Sequence, residues 1–327
     1  MTSLFSKKNI VWFVFIVVVL VGVQLMIDAR IITPYQRSII YWIGIYVILG
    51  VSLNIIIGIT GQLSLGHAGF MSIGAYSTAI VLRQNPTLGG LFIGMGVGFV
   101  ISLIVSFLVA MPTLRLKGDY LAIATLGVGE IIRIVILNMQ ITDGARGISN
   151  IPNLISWPMM FAFVVAMVIL ATNFKNSAVG RACIAIKEDE IAAESLGVNP
   201  VKYKVIAFMF GAVMASIAGA LYATTYYVVK PETFGINTSI NILIIVVFGG
   251  MGSLSGSVFA AIFIGVLNML LQRYGEVRAI IYPAILVLVM IFRPQGLLGR
   301  KEVTIFTIKE DLSRLWMMIF KRKEKQA

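Results

Sequence analysis

Charge is scarce in this chain. Asp, Glu, Lys and Arg make up 12% of its 327 residues, whereas 59% are hydrophobic, and mean hydropathy is +0.96. Soluble domains are about 25% charged and about 45–50% apolar, so a soluble globular fold is excluded and no stretch reads as a separate soluble domain. Cysteine is nearly absent: Cys183 stands alone, which excludes an internal disulfide and leaves the compartment open. Histidine is as rare, with His67 the only one. The paired Cys/His spacing of a zinc site is therefore missing, and no metal is expected. No Gly-x-x-x-x-Gly-Lys-Ser/Thr occurs, so the chain does not bind ATP through a P-loop, and no catalytic residue is proposed.

The charges that are present lean basic, 26 Lys and Arg against 14 Asp and Glu, a net +12. A nucleic-acid partner is one reading of such a balance. It fails because the basic residues sit at the ends of apolar runs, where the positive-inside bias places them. A spanning helix needs about 20 apolar residues. Clear candidates cover 10–27, 39–59, 91–111, 121–138, 158–173, 205–229, 257–271 and 279–292, and two interrupted ones cover 63–82 and 239–248. The expected fold is thus an all-α polytopic membrane protein of about ten transmembrane helices with two glycine-broken segments. The first run is read as a retained helix, since it exceeds the about 7–15 residues of a signal peptide and ends in a poor cleavage site.

Lys7 and Lys8, the loop 174–204 with Lys175, Arg181, Lys187, Lys202 and Lys204, and the tail after Phe292 are the basic regions. All three read as cytoplasmic, with an even number of crossings between successive ones. The expected organisation is a transmembrane domain over 1–300 with a cytoplasmic loop at 174–204, then a basic cytoplasmic tail at 301–327. Leu312, Leu315, Trp316, Ile319 and Phe320 fall at helical spacing in that tail. They suit a helix lying on an anionic leaflet, or an ordinary solvated tail.

Four constellations carry the functional reading. The first is 58–76, rich in glycine (Gly58, Gly61, Gly66, Gly69) with Gln62, Ser64 and His67 interleaved. Irregular backbone at membrane depth survives only inside protein or beside a water-filled cavity, so the segment marks a candidate solute pathway. The second is Gly249-Gly250-Met-Gly252-Ser253-Leu-Ser-Gly256, which shares the pattern Gly-x-Leu-Ser with Gly61–Ser64. Two glycine-broken segments in different halves are expected of a transporter built from repeats. The third is Glu130 with Arg133, three apart and able to pair within a crossing. Such a pair suits the bundle interior and suits a helix end at the interface equally well. The fourth is the loop 180–200, where Ile184, Ile191, Ala192, Ala193 and Leu196 follow helical spacing. Gly197 is expected to stop that helix and Pro200 to prevent its resumption. A short amphipathic helix framed by breakers suits a groove on a partner.

Taken together, Gly61-Gln-Leu-Ser-Leu-Gly-His-Ala-Gly-Phe70, Gly118-Asp-Tyr-Leu-Ala-Ile-Ala-Thr-Leu126 with Gly129-Glu-Ile-Ile-Arg133, Ile186-Lys-Glu-Asp-Glu-Ile-Ala-Ala-Glu-Ser-Leu-Gly197 and Phe248-Gly-Gly-Met-Gly-Ser253 resemble the M-type permease subunits of branched-chain amino-acid ABC importers, from about residue 39 to 300. The resemblance implies a second homologous permease, two ATPase subunits that carry the ATP, and an extracytoplasmic substrate-binding protein. It implies a multi-pass protein of the bacterial plasma membrane, with both termini cytoplasmic. It also implies that Lys187, Glu188, Asp189, Ala192, Ala193 and Gly197 form the ATPase-coupling segment. One departure is Thr142-Asp-Gly-Ala-Arg-Gly-Ile148, where the family often reads Thr-Gly-Gly-x-x-Gly-Ile; Asp143 and Arg146 add charge at the outer side, and relatives of this type also serve urea and other amino acids.

The expected pathway residues are Gly61, Gln62, Ser64, Gly66, His67 and Gly69 from the first break and Gly249, Gly250, Gly252 and Ser253 from the second. A proton-coupled secondary transporter using Glu130 or His67 is the reading from another class, and a passive channel is a third. The 187–197 loop separates them, since a self-sufficient carrier has no evident use for a docking helix there.

Overall fold

The structure is a computed structural model and describes residues 7–114, 116, 118–271, 284, 296, 297, 299 and 302. Eleven α-helices run through the described residues: α1 Lys7–Asp28, α2 Pro34–Asn54, α3 His67–Gln84, α4 Leu88–Thr113, α5 Asp119–Asn138, α6 Trp157–Asn176, α7 Ala178–Glu188, α8 Glu190–Ser195, α9 Pro200–Thr225, α10 Ile236–Gly249 and α11 Leu254–Leu271. A π-helical turn, Ile55–Ile59, continues α2. Six of these segments are long and apolar enough to cross a membrane: 34–59, 88–113, 119–138, 157–176, 200–225 and 254–271. The all-helical expectation therefore holds among the described residues. The crossing expected at 279–292 and the tail 303–327 lie outside them.

Local chemistry sets the helix starts. Thr33 and Gln36 form a capping box on α2, with the Gln36 amide N–H donating to Thr33 Oγ1 at 3.3 Å and the Thr33 N–H to Gln36 Oε1 at 2.8 Å. Such reciprocal bonds satisfy two orphan donors at once. Thr87, Ser177 and Asn199 cap α4, α7 and α9 with single bonds of 3.1 Å. Pro200 corrects the sequence reading. It was expected to keep a helix from resuming, but it occupies the first turn of α9, where its missing N–H costs nothing and its fixed φ suits the helix.

Burial separates centre from periphery. The α2–π segment is 89% buried and α9 72%, whereas α4, α5 and α6 are 22–28% buried. α2, α3 and α9 form the core, and α4 turns Phe92, Ile93, Val100, Ile104 and Leu108 outward. Apolar faces of that extent suit lipid or another membrane subunit. α3 and α9 pack closely because Gly74 and Gly219 lie at their crossing, each against backbone of the other helix.

The two ends of the bundle are distinct. At one end Arg83 pairs with Asp143 at 2.9 Å, and Ile148 and Val229 exchange backbone bonds of 3.0 and 2.9 Å. At the other end lie α7, α8, the end of the π turn and the turn between α10 and α11.

Candidate functional site

The glycine breaks meet each other at the end that carries α7 and α8, and Asn54 joins them. Asn54 closes α2 and is wholly buried. Its amide nitrogen donates to the Ser253 carbonyl at 2.8 Å, to Ser257 Oγ at 2.7 Å and to the Gly250 carbonyl at 3.4 Å. Its amide oxygen accepts the Gly252 N–H at 2.8 Å. Only a carboxamide both donates and accepts from one terminus in this way. Gly58 lies one turn further on, so tightly placed that a Cβ there would stand 1.7 Å from Asn54 Oδ1 and 2.3 Å from the Gly252 nitrogen. Gly252 turns the chain with φ +99°, a conformation glycine alone adopts freely.

The α2–π segment has 26 residues, roughly 39 Å at helical rise, long enough to cross a bilayer core before Gly61 is reached. The first break then re-enters. Residues 61–66 carry no regular structure, and His67 returns to lie beside Ser52, with Nε2 2.7 Å from Ser52 Oγ. Ser52 Oγ also lies 2.9 Å from the Leu49 carbonyl, so the hydroxyl bridges that carbonyl and the imidazole. The second break stays at the end of the bundle.

Of the first-break residues, Gln62, Ser64 and His67 are buried. Among the described residues, neither polar atom of the Gln62 amide nor His67 Nδ1 has a hydrogen-bond partner. Unpaired buried polar atoms are rare and call for a water or another group. Gly66 and Gly69 approach α5: a Cβ on Gly66 would meet the Thr125 carbonyl at 2.1 Å, and one on Gly69 would meet Gly129 Cα at 2.8 Å. The Leu65 N–H adds a bond to Thr125 Oγ1 at 3.0 Å. In the second break Gly249 packs on Gly256, Gly250 on Gly299, and Ser253 Oγ accepts the Gly256 N–H at 3.1 Å.

Glu130 and Arg133 form the ion pair their spacing predicts, at 2.7 Å. Each keeps about a quarter of its side chain exposed (24% and 25%), so the pair is half-buried rather than buried.

The loop expected to hold one amphipathic helix holds two, α7 and α8, divided at Asp189. Asp189 Oδ1 accepts the N–H groups of Ile191 and Ala192, both at 3.0 Å, and so starts α8. Gly197 ends it at φ +83°. Glu188 and Ala192 are exposed and Ala193 is buried. Ile191 and Leu196 stand 79% and 85% exposed, an apolar pair with nothing over it among the described residues. Lys187 differs from its neighbours. Its stem covers Gly61 and its ammonium donates to the Gly58 carbonyl at 2.5 Å. Cys183 faces inward on α7, where burial pushes its thiol up to about 11; a thiol so protonated is inert.

Four residues at this junction were not singled out as site residues from the sequence. Ser52 and Asn54 are polar residues in an apolar run, a signal that could have found them. Lys175 reads as an ordinary flanking charge, yet it donates to the Gly252 carbonyl at 2.7 Å and to Glu302 at 2.5 Å. Glu302 gave no signal at all within a basic tail. Its carboxylate accepts the Leu254 and Ser255 N–H groups at 2.9 and 3.0 Å and the Ser255 hydroxyl at 2.6 Å, the position where a helix N-terminus favours negative charge. Burial alone would raise this carboxyl, but Lys175, Ser255 and the two backbone donors hold it below its ordinary 4.5. A group depressed on folding stabilises above its unfolded value and loses that effect as pH falls through the folded one. The melting temperature is therefore expected to drop as pH is lowered below about 4.5, and Glu302→Gln is expected to flatten that part of the profile in detergent; identical profiles would remove the clamp.

No group of three His, Cys, Asp or Glu able to hold a metal occurs among the described residues. The family model described as branched-chain amino acid transport system / permease component matches residues 36–293. The chain is 37% identical over 290 residues to the high-affinity branched-chain amino acid transport system permease protein LivM of Salmonella typhimurium, covering 78% of this chain and 68% of that protein. The corresponding LivM of Escherichia coli matches with the same identity and coverage. LivH, a permease protein of the same system in Salmonella typhimurium, is 35% identical over 141 residues, 42% of this chain and 46% of that protein. No solved structure matches significantly. This multi-pass membrane protein belongs to the family of permease components of branched-chain amino acid transport systems.

Proposed function

We propose that this chain is one half of the membrane pathway of an ABC importer for branched-chain or other aliphatic amino acids. It crosses the plasma membrane about ten times with both termini in the cytoplasm. A second, homologous permease completes the pathway, a substrate-binding protein delivers the solute outside, and two ATPase subunits supply the free energy. The chain has no nucleotide site and no cofactor of its own. Gln62, Ser64 and His67 line the path where the first break re-enters the bundle. The unpaired Gln62 amide supports this, because a wet or solute-filled lumen provides what the protein does not. A weakly polar lining suits an aliphatic amino acid, since tight binding would slow release.

The observation that carries the ATP-driven reading is α8. Its exposed Ile191, Ala192 and Leu196, framed by the Asp189 cap and Gly197, suit a partner groove. Glu130 is tied to Arg133, which disfavours it as the proton carrier of a self-sufficient transporter. Ala192→Trp is expected to release the ATPase subunits during purification and to lower uptake at least ten-fold, with folded permease at its normal level. Retained ATPase and normal uptake would overturn the docking assignment.

A further inference from the structure

We infer that Lys187 and Lys175 are the links through which movement of α7 and α8 reaches the two glycine breaks. This rests on the reading of α8 as the ATPase-docking helix. A motor seated on that helix acts on the pathway only through contiguous contacts, and these two lysines provide them. They stand at the ends of α7 and α6, on either side of the Ser177 cap. Lys187 reaches inward to the Gly58 carbonyl, at the end of the π turn. The last carbonyls of a helix have no partner within it and attract a cation. Lys175 reaches the Gly252 carbonyl in the turn between α10 and α11. Glu302 holds Lys175 from the far side and grips the start of α11.

Asn54 makes the two attachments one unit. It lies in the same helical segment as Gly58 and binds the Gly252 N–H across 198 residues of chain. A displacement of α7 is therefore delivered to α2 and to the α10–α11 turn together, not to either alone. The first break follows directly on Gly58, so Gln62 and His67 hang from the same anchor. Lysine suits this role: its ammonium keeps its bond to a carbonyl through several rotamers of a four-carbon stem. Lys187 is thus a positioning residue on the inner side of the docking segment, distinct from the outward Ile191, Ala192 and Leu196.

The test uses the whole transporter in proteoliposomes, with ATPases, second permease and binding protein. Lys187→Met keeps the stem and removes the ammonium; Lys187→Arg restores a cation of similar reach. Lys187→Met is expected to co-purify with the ATPase subunits while amino-acid uptake per ATP hydrolysed falls about ten-fold. Lys187→Arg is expected to regain at least a third of the wild-type ratio, a rescue that a mere loss of packing would not produce. Lys175→Met provides a second variant at an independent anchor and is expected to lower the same ratio. A wild-type ratio in both methionine variants would overturn the inference, as would loss of the ATPase subunits from Lys187→Met, which would make the lysine part of the docking surface. Uptake by the wild-type permease without any nucleotide would overturn the ATP-driven reading itself, a different result from either.

Discussion

Asn54→Leu is expected to leave no folded permease that survives detergent extraction. The leucine fills most of the volume but removes four hydrogen bonds at once. It leaves the Gly252 N–H facing an apolar side chain, while the Ser253 carbonyl keeps the Ser257 N–H and hydroxyl as donors at 3.2 and 3.5 Å. Each buried group left without a partner costs about 1–3 kcal/mol. With the three other bonds lost at about 0.5–1.5 kcal/mol net each, the total approaches the lower part of the about 5–15 kcal/mol that separates a typical folded chain from its unfolded ensemble. Asn54→Asp sharpens the test, because shape is kept while the donor is replaced by a charged acceptor. The aspartate can still accept from Gly252, but its second oxygen meets the carbonyl oxygens of Ser253 and Gly250, acceptor against acceptor. A lost or broadened monodisperse peak on size exclusion is expected for both variants. A normal peak and melting temperature for the aspartate would show that the amide is not what joins the breaks.

The second large effect is expected at the α3–α9 crossing. Gly74→Ala places a methyl 1.8 Å from the Ser216 carbonyl oxygen, and Gly219→Ala places one 1.9 Å from that of Met71. Both clashes are with backbone, which cannot rotate aside as a side chain does. Relief requires the two helices to move apart along a buried, closely packed seam. Helix pairs in membranes are held largely by such close packing of small residues, so the loss is not recovered by hydrophobic burial elsewhere. A fall in melting temperature of at least about 10 °C is expected for either variant, the size of shift that follows from a loss of several kcal/mol in a chain of this length. Gly96→Ala on α4 is the control: nothing lies within 4 Å of its Cβ, and the alanine should be neutral or mildly favourable to the helix. Equal effects at Gly74 and Gly96 would refute the close-contact argument.

The helices were readable in the sequence for a simple reason. Length of apolar run is a one-dimensional signal, and the bilayer imposes it. The ends were less readable. Pro200 stops one pattern and starts another with the same residue, and only the Asn199 cap separates the cases. The glycine breaks were visible as breaks, but their meeting was not. Asn54 and Gly252 are nearly 200 positions apart, and nothing local in Gly-Met-Gly-Ser announces the residue that will hold it. Glu302 was hidden for the opposite reason. It sits among lysines and arginines, so composition assigned its neighbourhood to solvent, whereas the helix start at Leu254 and the Lys175 ammonium create a place for one carboxylate. The α7–α8 loop fell between these extremes: its exposed face was legible as an amphipathic pattern, but the inward course of Lys187 required coordinates.

The single thiol has a practical consequence. Cys183 is folded under α7 and held protonated there, so maleimide and methanethiosulfonate reagents at neutral pH have no native target among the described residues. A cysteine introduced at Ile191, Ala192 or Leu196, all exposed, can be labelled in the otherwise unaltered chain. Accessibility scanning, spin-label distances and fluorescence transfer are then open without first removing a buried side chain.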